Sequence, residues 1–211
     1  MIPDVRLIAV LDPRILGTRD LGDAARAAEA GGATALQVRF KDTPALDLLR
    51  ATERVLARVD LPVYVNDRAD VAWAAGAHGV HLGAADAPAE LVRGLAPPPF
   101  RIGLSVGSPA EAALARPAAA DYWSLGPAFR TASKGDAGEP LGPGGFTHLA
   151  THAPPGMLRV AIGGITAANA GLIFEAGASG VAVISAIFGA PDVERATRAL
   201  RDVVDAHVRL R

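Results

Sequence analysis

Apolar positions along the chain fall into two alternating registers. Short β-branched or apolar runs alternate, from one end to the other, with longer alanine-rich segments whose apolar residues recur every three to four positions. The short runs predict strands near Leu7 to Leu11, Ala35 to Arg39, Val63 to Asn66, Gly79 to Leu82, Arg101 to Ser105, Tyr122 to Leu125, Arg159 to Ile162 and Val181 to Ile184. Between them, Leu48, Leu49, Thr52, Val55, Leu56 and Val59 mark one helix face. Val193, Ala196, Leu200, Val203 and Val204 mark another. Such an alternation is the pattern of a parallel sheet with helical crossovers.

A weak internal repeat supports a count of eight units. Ala30-Gly31-Gly32-Ala33, Ala75-Gly76-Ala77-His78 and Ala176-Gly177-Ala178-Ser179 each close a helix with glycine and lead at once into a strand. A doubly wound open sheet uses similar joints but usually carries a glycine-rich phosphate turn after its first strand. Leu11-Asp12-Pro13-Arg14 is no such turn. The expected fold is therefore α/β, a single (β/α)8 TIM barrel, with residues 1–211 forming one domain. Between Phe129 and Gly145 the chain holds Gly135, Gly138, Gly142, Gly144 and two prolines without periodicity. This connection follows the sixth strand, on the rim where barrels place catalytic loops, and reads as a lid. Pro97-Pro98-Pro99 precedes the fifth strand, at the opposite rim, and reads as a rigid linker.

Composition narrows the function classes. The formal net charge is −1 and the basic residues are scattered, which disfavours nucleic acid and anionic membranes as partners. No cysteine is present, so disulfides and thiolate metal sites are excluded. The N-terminus lacks the pattern of a signal peptide and no apolar stretch is long enough to span a bilayer, so a soluble cytoplasmic protein is expected. Only two of the 21 basic residues are lysines, Lys41 and Lys134, and Gln37 is the only glutamine. In a chain that otherwise uses arginine, these exceptions point to positions where a compact ammonium is needed rather than a planar guanidinium.

Several polar groups fall at predicted strand C-termini, the ligand-facing end of a barrel. Gln37, Arg39 and Lys41 share one face by alternation, with no acid between them. The two cations suggest an anion site; an internal ion pair is the alternative. Asp67 and Asp86 follow adjacent strands and could share a magnesium ion (Mg2+) with substrate phosphates, although each also fits a helix-cap signature. Ala161-Ile162-Gly163-Gly164-Ile165-Thr166 and Val183-Ile184-Ser185-Ala186-Ile187 stand where barrels bind phosphate after strands seven and eight. His148 and His152 are four apart without a carboxylate to complete a metal site. His81 lies within the fourth strand, where it either lines the barrel or serves as a hydrogen-bonded core histidine.

Taken in order, six blocks resemble the thiamine-phosphate synthase family over nearly the whole chain. They are QVRFK at 37 to 41, VNDRADVAWAAGAHGVHLG at 65 to 83 with Asp86, GLSV at 103 to 106, DYWSLGPAFRTASK at 121 to 134, PLGPGGF at 140 to 146, and AIGGIT followed by GVAVISAI. The resemblance implies a transferase of thiamine biosynthesis in which a hydroxymethylpyrimidine diphosphate loses pyrophosphate and a thiazole phosphate captures the pyrimidine methylene. It assigns Gln37, Arg39, Lys41, Asn66 and Ser105 to the pyrimidine diphosphate and Asp67 and Asp86 to magnesium. Thr131, Ser133 and Lys134 would reach the ligands from the lid, and Gly164, Ile184 and Ser185 would bind the thiazole phosphate. Lys134, Arg39 and Lys41 would carry catalysis by stabilising the departing pyrophosphate. The chain departs from the family's usual pattern at Leu11, Phe40, Ala84, Arg130 and Ser133. Two other readings are a thiazole tautomerase, whose family has a catalytic histidine where Pro127 stands, and a non-catalytic barrel that binds thiamine intermediates. A homo-oligomer is compatible with the sequence.

Overall fold

A computed structural model describes residues 3–116, 119–131 and 138–208. Eight parallel strands, β1 (Leu7–Leu11), β2 (Ala35–Val38), β3 (Val63–Asn66), β4 (Gly79–Leu82), β5 (Arg101–Val106), β6 (Tyr122–Leu125), β7 (Leu158–Ile162) and β8 (Gly180–Val183), close on themselves in sequence order. The helices are α1 (Pro13–Leu16), α2 (Leu21–Ala30), α3 (Ala45–Leu56), α4 (Ala69–Ala74), α5 (Ala89–Leu95), α6 (Pro109–Ala115), α7 (Gly142–Ala150), α8 (Ala170–Glu175), α9 (Ser185–Phe188) and α10 (Val193–Val208). This is the expected (β/α)8 barrel, with each strand within one residue of its predicted ends.

The three repeated joints are one structure. Gly32, Gly76 and Gly177 have φ of 97°, 68° and 104°, a region that glycine enters without steric cost. In each joint the next residue's amide reaches back to the helix: Ala33 N to Ala28 O at 3.1 Å, Ala77 N to Ala72 O at 2.9 Å and Ala178 N to Ile173 O at 3.1 Å. These bonds cap the last turn in a Schellman arrangement. The amide after that starts the ladder, as in His78 N to Val63 O at 2.9 Å.

Period-two alternation sorts the strand residues between two apolar regions. One face packs against the helices: Leu7, Ala9 and Leu11 of β1 meet Leu21, Ala25 and Ala28 of α2 in a continuous buried layer. The other face fills the barrel with Ile8, Val10, Ala35, Tyr64, Tyr122, Val160, Ile162, Ala182 and Ile184. Tyr64 and Tyr122 meet edge to face at 5.9 Å. Gly103 makes room for them, since a Cβ there would lie 2.2 Å from Tyr122 Cζ.

One expectation is corrected. The glycine-rich stretch read as irregular up to Gly145 turns helical at Gly142. Phe146, Leu149 and Ala150 are buried on that helix, and their packing outweighs the poor helix propensity of the glycines.

Candidate active site

A cleft of about 710 Å³ opens at the C-terminal mouth of the barrel. Asn66 ends β3, Ser105 lies on β5, and Arg39, Lys41, Asp67, Asp86, Thr131, Gly164, Ile184 and Ser185 line the same cleft. Ten of the residues singled out from sequence are thus brought together. Ser133 and Lys134 lie outside the described residues.

The two cations are not a free pair. Buried Arg39 donates through Nη1 to Asp12 Oδ2 at 2.5 Å, and Lys41 Nζ lies 2.5 Å from Asp67 Oδ2. The absence of an acid along β2 was misleading, because the acids arrive from β1 and β3. Asp12 was missed from sequence, although an aspartate at a strand end before proline is a helix N-cap signature. Its carboxylate indeed accepts Arg14 N at 3.0 Å and also takes Arg14 Nη2 at 2.8 Å. Burial pushes the Asp12 carboxyl up, but the Arg14 bonds and the Arg39 charge outweigh it and hold the group below its usual range.

Asp67 and Asp86 converge as expected. Burial raises the Asp86 carboxyl above its usual value, the Gly83 amide at 2.6 Å opposes this, and the neighbouring Asp67 charge raises it further. Asp67 adopts φ 66°, a left-handed conformation uncommon outside glycine, as does Asp42 beside Lys41 at φ 56°. The Lys41–Asp67 pair therefore includes one left-handed aspartate and has the other next to Lys41 in sequence.

The Gln37 side chain is buried and lies outside the cleft wall, and it bonds the Tyr122 hydroxyl one layer below the floor. From there a chain leads upward: Tyr122 Oη to His81 Nδ1 at 3.1 Å, and His81 Nε2 to Ser105 Oγ at 2.9 Å. His81 both lines the barrel and is a satisfied core histidine. Burial drives the Tyr122 phenol well above its usual value, so it stays neutral.

On the opposite wall, Gly163 and Gly164 have φ of 98° and 64°. They do more than make a tight turn. A Cβ on Gly164 would meet Arg130 O at 2.5 Å, and one on Gly163 would meet Pro127 Cβ at 2.7 Å, so the loop after β7 lies directly against the loop after β6. Phe129 N donates to Gly163 O at 2.9 Å and Asn169 Nδ2 to Gly164 O at 2.9 Å, which fixes the loop between the β6 loop and the start of α8. His148 on α7 and His152 just past its end meet edge to face, with His152 Nδ1 3.3 Å from His148 O. Among the described residues no cluster of three or more metal-ligating side chains forms.

The cleft also holds residues to which the sequence reading gave no role: Ser124, Glu111 and Glu139. Glu111 Oε2 accepts Gly107 N at 2.8 Å. Among the described lining residues, the basic side chains Arg39 and Lys41 face four acids, Asp67, Asp86, Glu111 and Glu139.

Fold and cleft together define a (β/α)8-barrel enzyme with its site at the C-terminal mouth. The family model for thiamine monophosphate synthase matches residues 7–187. A thiamine-phosphate synthase of Methanoculleus marisnigri is 47% identical over 203 residues, covering 95% of both chains. One from Roseiflexus castenholzii is 46% identical, covering 92% of this chain and 86% of that protein. The solved thiamine phosphate pyrophosphorylase of Pyrococcus furiosus superposes with a TM-score of 0.86 at 35% identity, covering 98% of each chain. The chain belongs to the thiamine monophosphate synthase family. Orotidine 5'-phosphate decarboxylase from Pyrococcus horikoshii, at 15% identity and a TM-score of 0.70, shares the fold alone.

Proposed function

We infer that the chain is a thiamine-phosphate synthase, joining hydroxymethylpyrimidine diphosphate to thiazole phosphate with release of pyrophosphate. The observation that carries the mechanistic reading is the charge of the mouth, where two basic side chains face four acidic ones among the described residues. Such a cleft accepts phosphorylated ligands only when further positive charge arrives with them.

The donor set fits magnesium. Two carboxylates with substrate phosphate oxygens are its usual protein complement. Asp67 already holds a cation in the Lys41 ammonium, and Asp86, crowded by Asp67, has a raised affinity for a proton. Asp67 and Asp86 would hold the magnesium, which when bound would supply Lewis-acid neutralisation of the diphosphate charge.

The protein's own groups do the rest. Arg39, fixed by Asp12, presents its guanidinium edge to the diphosphate. Lys41, released from Asp67, turns to the same oxygens, and Lys134 reaches them from the lid. As the methylene carbon–oxygen bond breaks, its electron pair leaves with pyrophosphate, whose growing charge these cations stabilise. The thiazole nitrogen then donates its lone pair to the methylene carbon, so no protein nucleophile is needed. Gln37, Asn66 and Ser105 orient the pyrimidine, with Gln37 also tied to that floor through Tyr122 and His81. Gly164, Ile184 and Ser185 hold the thiazole phosphate through amides and a hydroxyl. Thr131 and Ser133 contact ligand from the lid, which excludes water that would capture the methylene as an alcohol.

The reading extends to a single-domain cytoplasmic enzyme that works on small molecules, without nucleic acid or membrane partners. In support, the formal charge is −1 and no described helix is long and apolar enough to cross a membrane. Exposed Trp73, Leu91, Leu95 and Leu114 on α4, α5 and α6 make a homo-oligomer compatible with the surface. Incubating the purified protein with both heterocycles and magnesium tests the function. Thiamine phosphate and pyrophosphate are expected in equal amounts. Isomerisation of thiazole phosphate alone would replace this reading with the tautomerase, a proton-transfer reaction for which Pro127 offers no group. Binding without turnover would favour a silent barrel.

A further inference from the structure

Among the described residues three buried side-chain polar atoms lack a hydrogen-bond partner, Trp123 Nε1, Ser124 Oγ and Arg159 Nε, and of these residues only Ser124 lines the cleft. Tyr122, His81 and Ser105 are linked in sequence, whereas Ser124 Oγ has no hydrogen-bond partner among the described residues. We propose that the Ser124 hydroxyl is a direct hydrogen-bonding contact for the pyrimidine heterocycle and helps to select that substrate. The inference rests on the synthase reading.

Three observations converge on this residue. Ser124 lies two positions after Tyr122 on β6, and alternation turns both side chains into the barrel. It is 3% exposed, yet it lines the cleft. Its Cα is paired in register with that of Ser105 on the adjacent strand, so the two hydroxyls stand side by side beneath the mouth. A buried hydroxyl without a partner loses its hydration and gains nothing in return, and it is tolerated where a ligand completes it.

The surroundings select the kind of ligand. Arg39, Lys41, Asp67 and Asp86 belong to the first four strand ends of the mouth, away from β6. Around Ser124 the cleft offers the Ser105 hydroxyl with the apolar side chains of Ile162 and Ala182. A phosphate would demand cations or a set of amides there. A neutral aminopyrimidine instead brings a flat apolar face and an edge with both donors and acceptors, and a hydroxyl can serve either. Ser105 is already committed to His81 Nε2, so Ser124 is the floor hydroxyl with full capacity left for the ring.

The test is calorimetric titration of wild type, Ser124→Ala and Ser124→Cys with hydroxymethylpyrimidine diphosphate and magnesium, and separately with thiazole phosphate. The cysteine variant keeps the size of the side chain while weakening its hydrogen bonding. Both variants should bind the pyrimidine diphosphate about tenfold more weakly, equivalent to about 1.4 kcal/mol, with thiazole phosphate affinity unchanged. The ligand-free melting temperature of Ser124→Ala should hold or rise, since an uncompensated hydroxyl has been removed. Wild-type affinity for the pyrimidine in both variants would overturn the inference alone, as would a loss confined to thiazole phosphate. A wild-type protein that binds no pyrimidine diphosphate would overturn the synthase reading and this inference together.

Discussion

The two ends of the barrel use the same side chains for opposite purposes. At the N-terminal rim, Asp121 precedes β6 and takes Arg93 Nη2 at 2.7 Å, Arg101 Nη1 at 2.9 Å and Ile102 N at 2.8 Å. Arg93 also donates to Phe100 O at 2.6 Å. Asp121 and its two arginines are thus matched, and both Asp121 and Arg93 are tied to backbone. At the C-terminal rim, among the described residues that line the cleft, the acids outnumber the bases, two carboxylates crowd each other, Asp67 is held in a left-handed conformation and Ser124 Oγ has no partner. Of the three buried side-chain atoms without a partner among the described residues, Trp123 Nε1, Ser124 Oγ and Arg159 Nε, only Ser124 Oγ belongs to the cleft, where a ligand can satisfy it, so chemistry is concentrated at the mouth of the barrel.

The contrast breaks most visibly at Asp67. Asp67→Asn keeps a residue that tolerates φ 66° and removes the charge that both Lys41 and magnesium use. We expect turnover to fall on the order of 10²–10³-fold with the melting temperature within a few degrees of wild type. Steady-state kinetics and a thermal melt on one preparation check both halves. A large drop in stability would mean that the mouth, too, is built for folding.

Asp121→Ala should do the reverse. Removing it takes the carboxylate partner from two largely buried arginines and the acceptor from the Ile102 amide, a loss of about 2–4 kcal/mol. Urea unfolding should show this with kcat/KM unchanged below the transition, because Asp121 lies at the far end from the cleft.

Acid unfolding sharpens the comparison from within the active end. Asp12 has a lowered folded-state value, so its contribution is complete above its unfolded value of about 4 and is lost as pH falls through the folded one. Asp12→Asn should therefore flatten the stability profile below about pH 4. Unfolding curves at stepped pH would expose a wrong assignment if the acid limb kept its slope.

How much of this was legible in the chain depends on the range of the interactions. The Ala-Gly joints are local: each glycine, its φ and its backward hydrogen bond lie within six residues, so the eight units could be read directly. The partners of Arg39 and Lys41 are 27 and 26 residues away, and no pattern along β2 announces them. Alternation puts Gln37 on the interior face but cannot announce its bond to the Tyr122 hydroxyl, since it gives direction and not height in the barrel. Ser124 passed unnoticed because serine in a strand is unremarkable until its neighbours are known to be satisfied.

The smallest expected effect tests whether nearness to the mouth is enough to make an ion pair functional. Arg68 directly follows Asp67, and its Nη2 lies 2.5 Å from Asp70 Oδ2 in the first turn of α4. Both side chains are largely exposed, 42% and 65%, and neither lines the cleft. The Arg68 bond, together with the amides at the start of the helix, holds the Asp70 carboxyl below its usual value, but water screens most of that interaction. Asp70→Ala should therefore cost no more than about 0.5–1 kcal/mol and leave kcat and both KM values at wild type. A kinetic effect approaching that of Asp67→Asn would show that Arg68 and Asp70 help to hold Asp67 in its left-handed conformation. The boundary between the reactive mouth and ordinary solvated surface would then lie one turn further out than the geometry draws it.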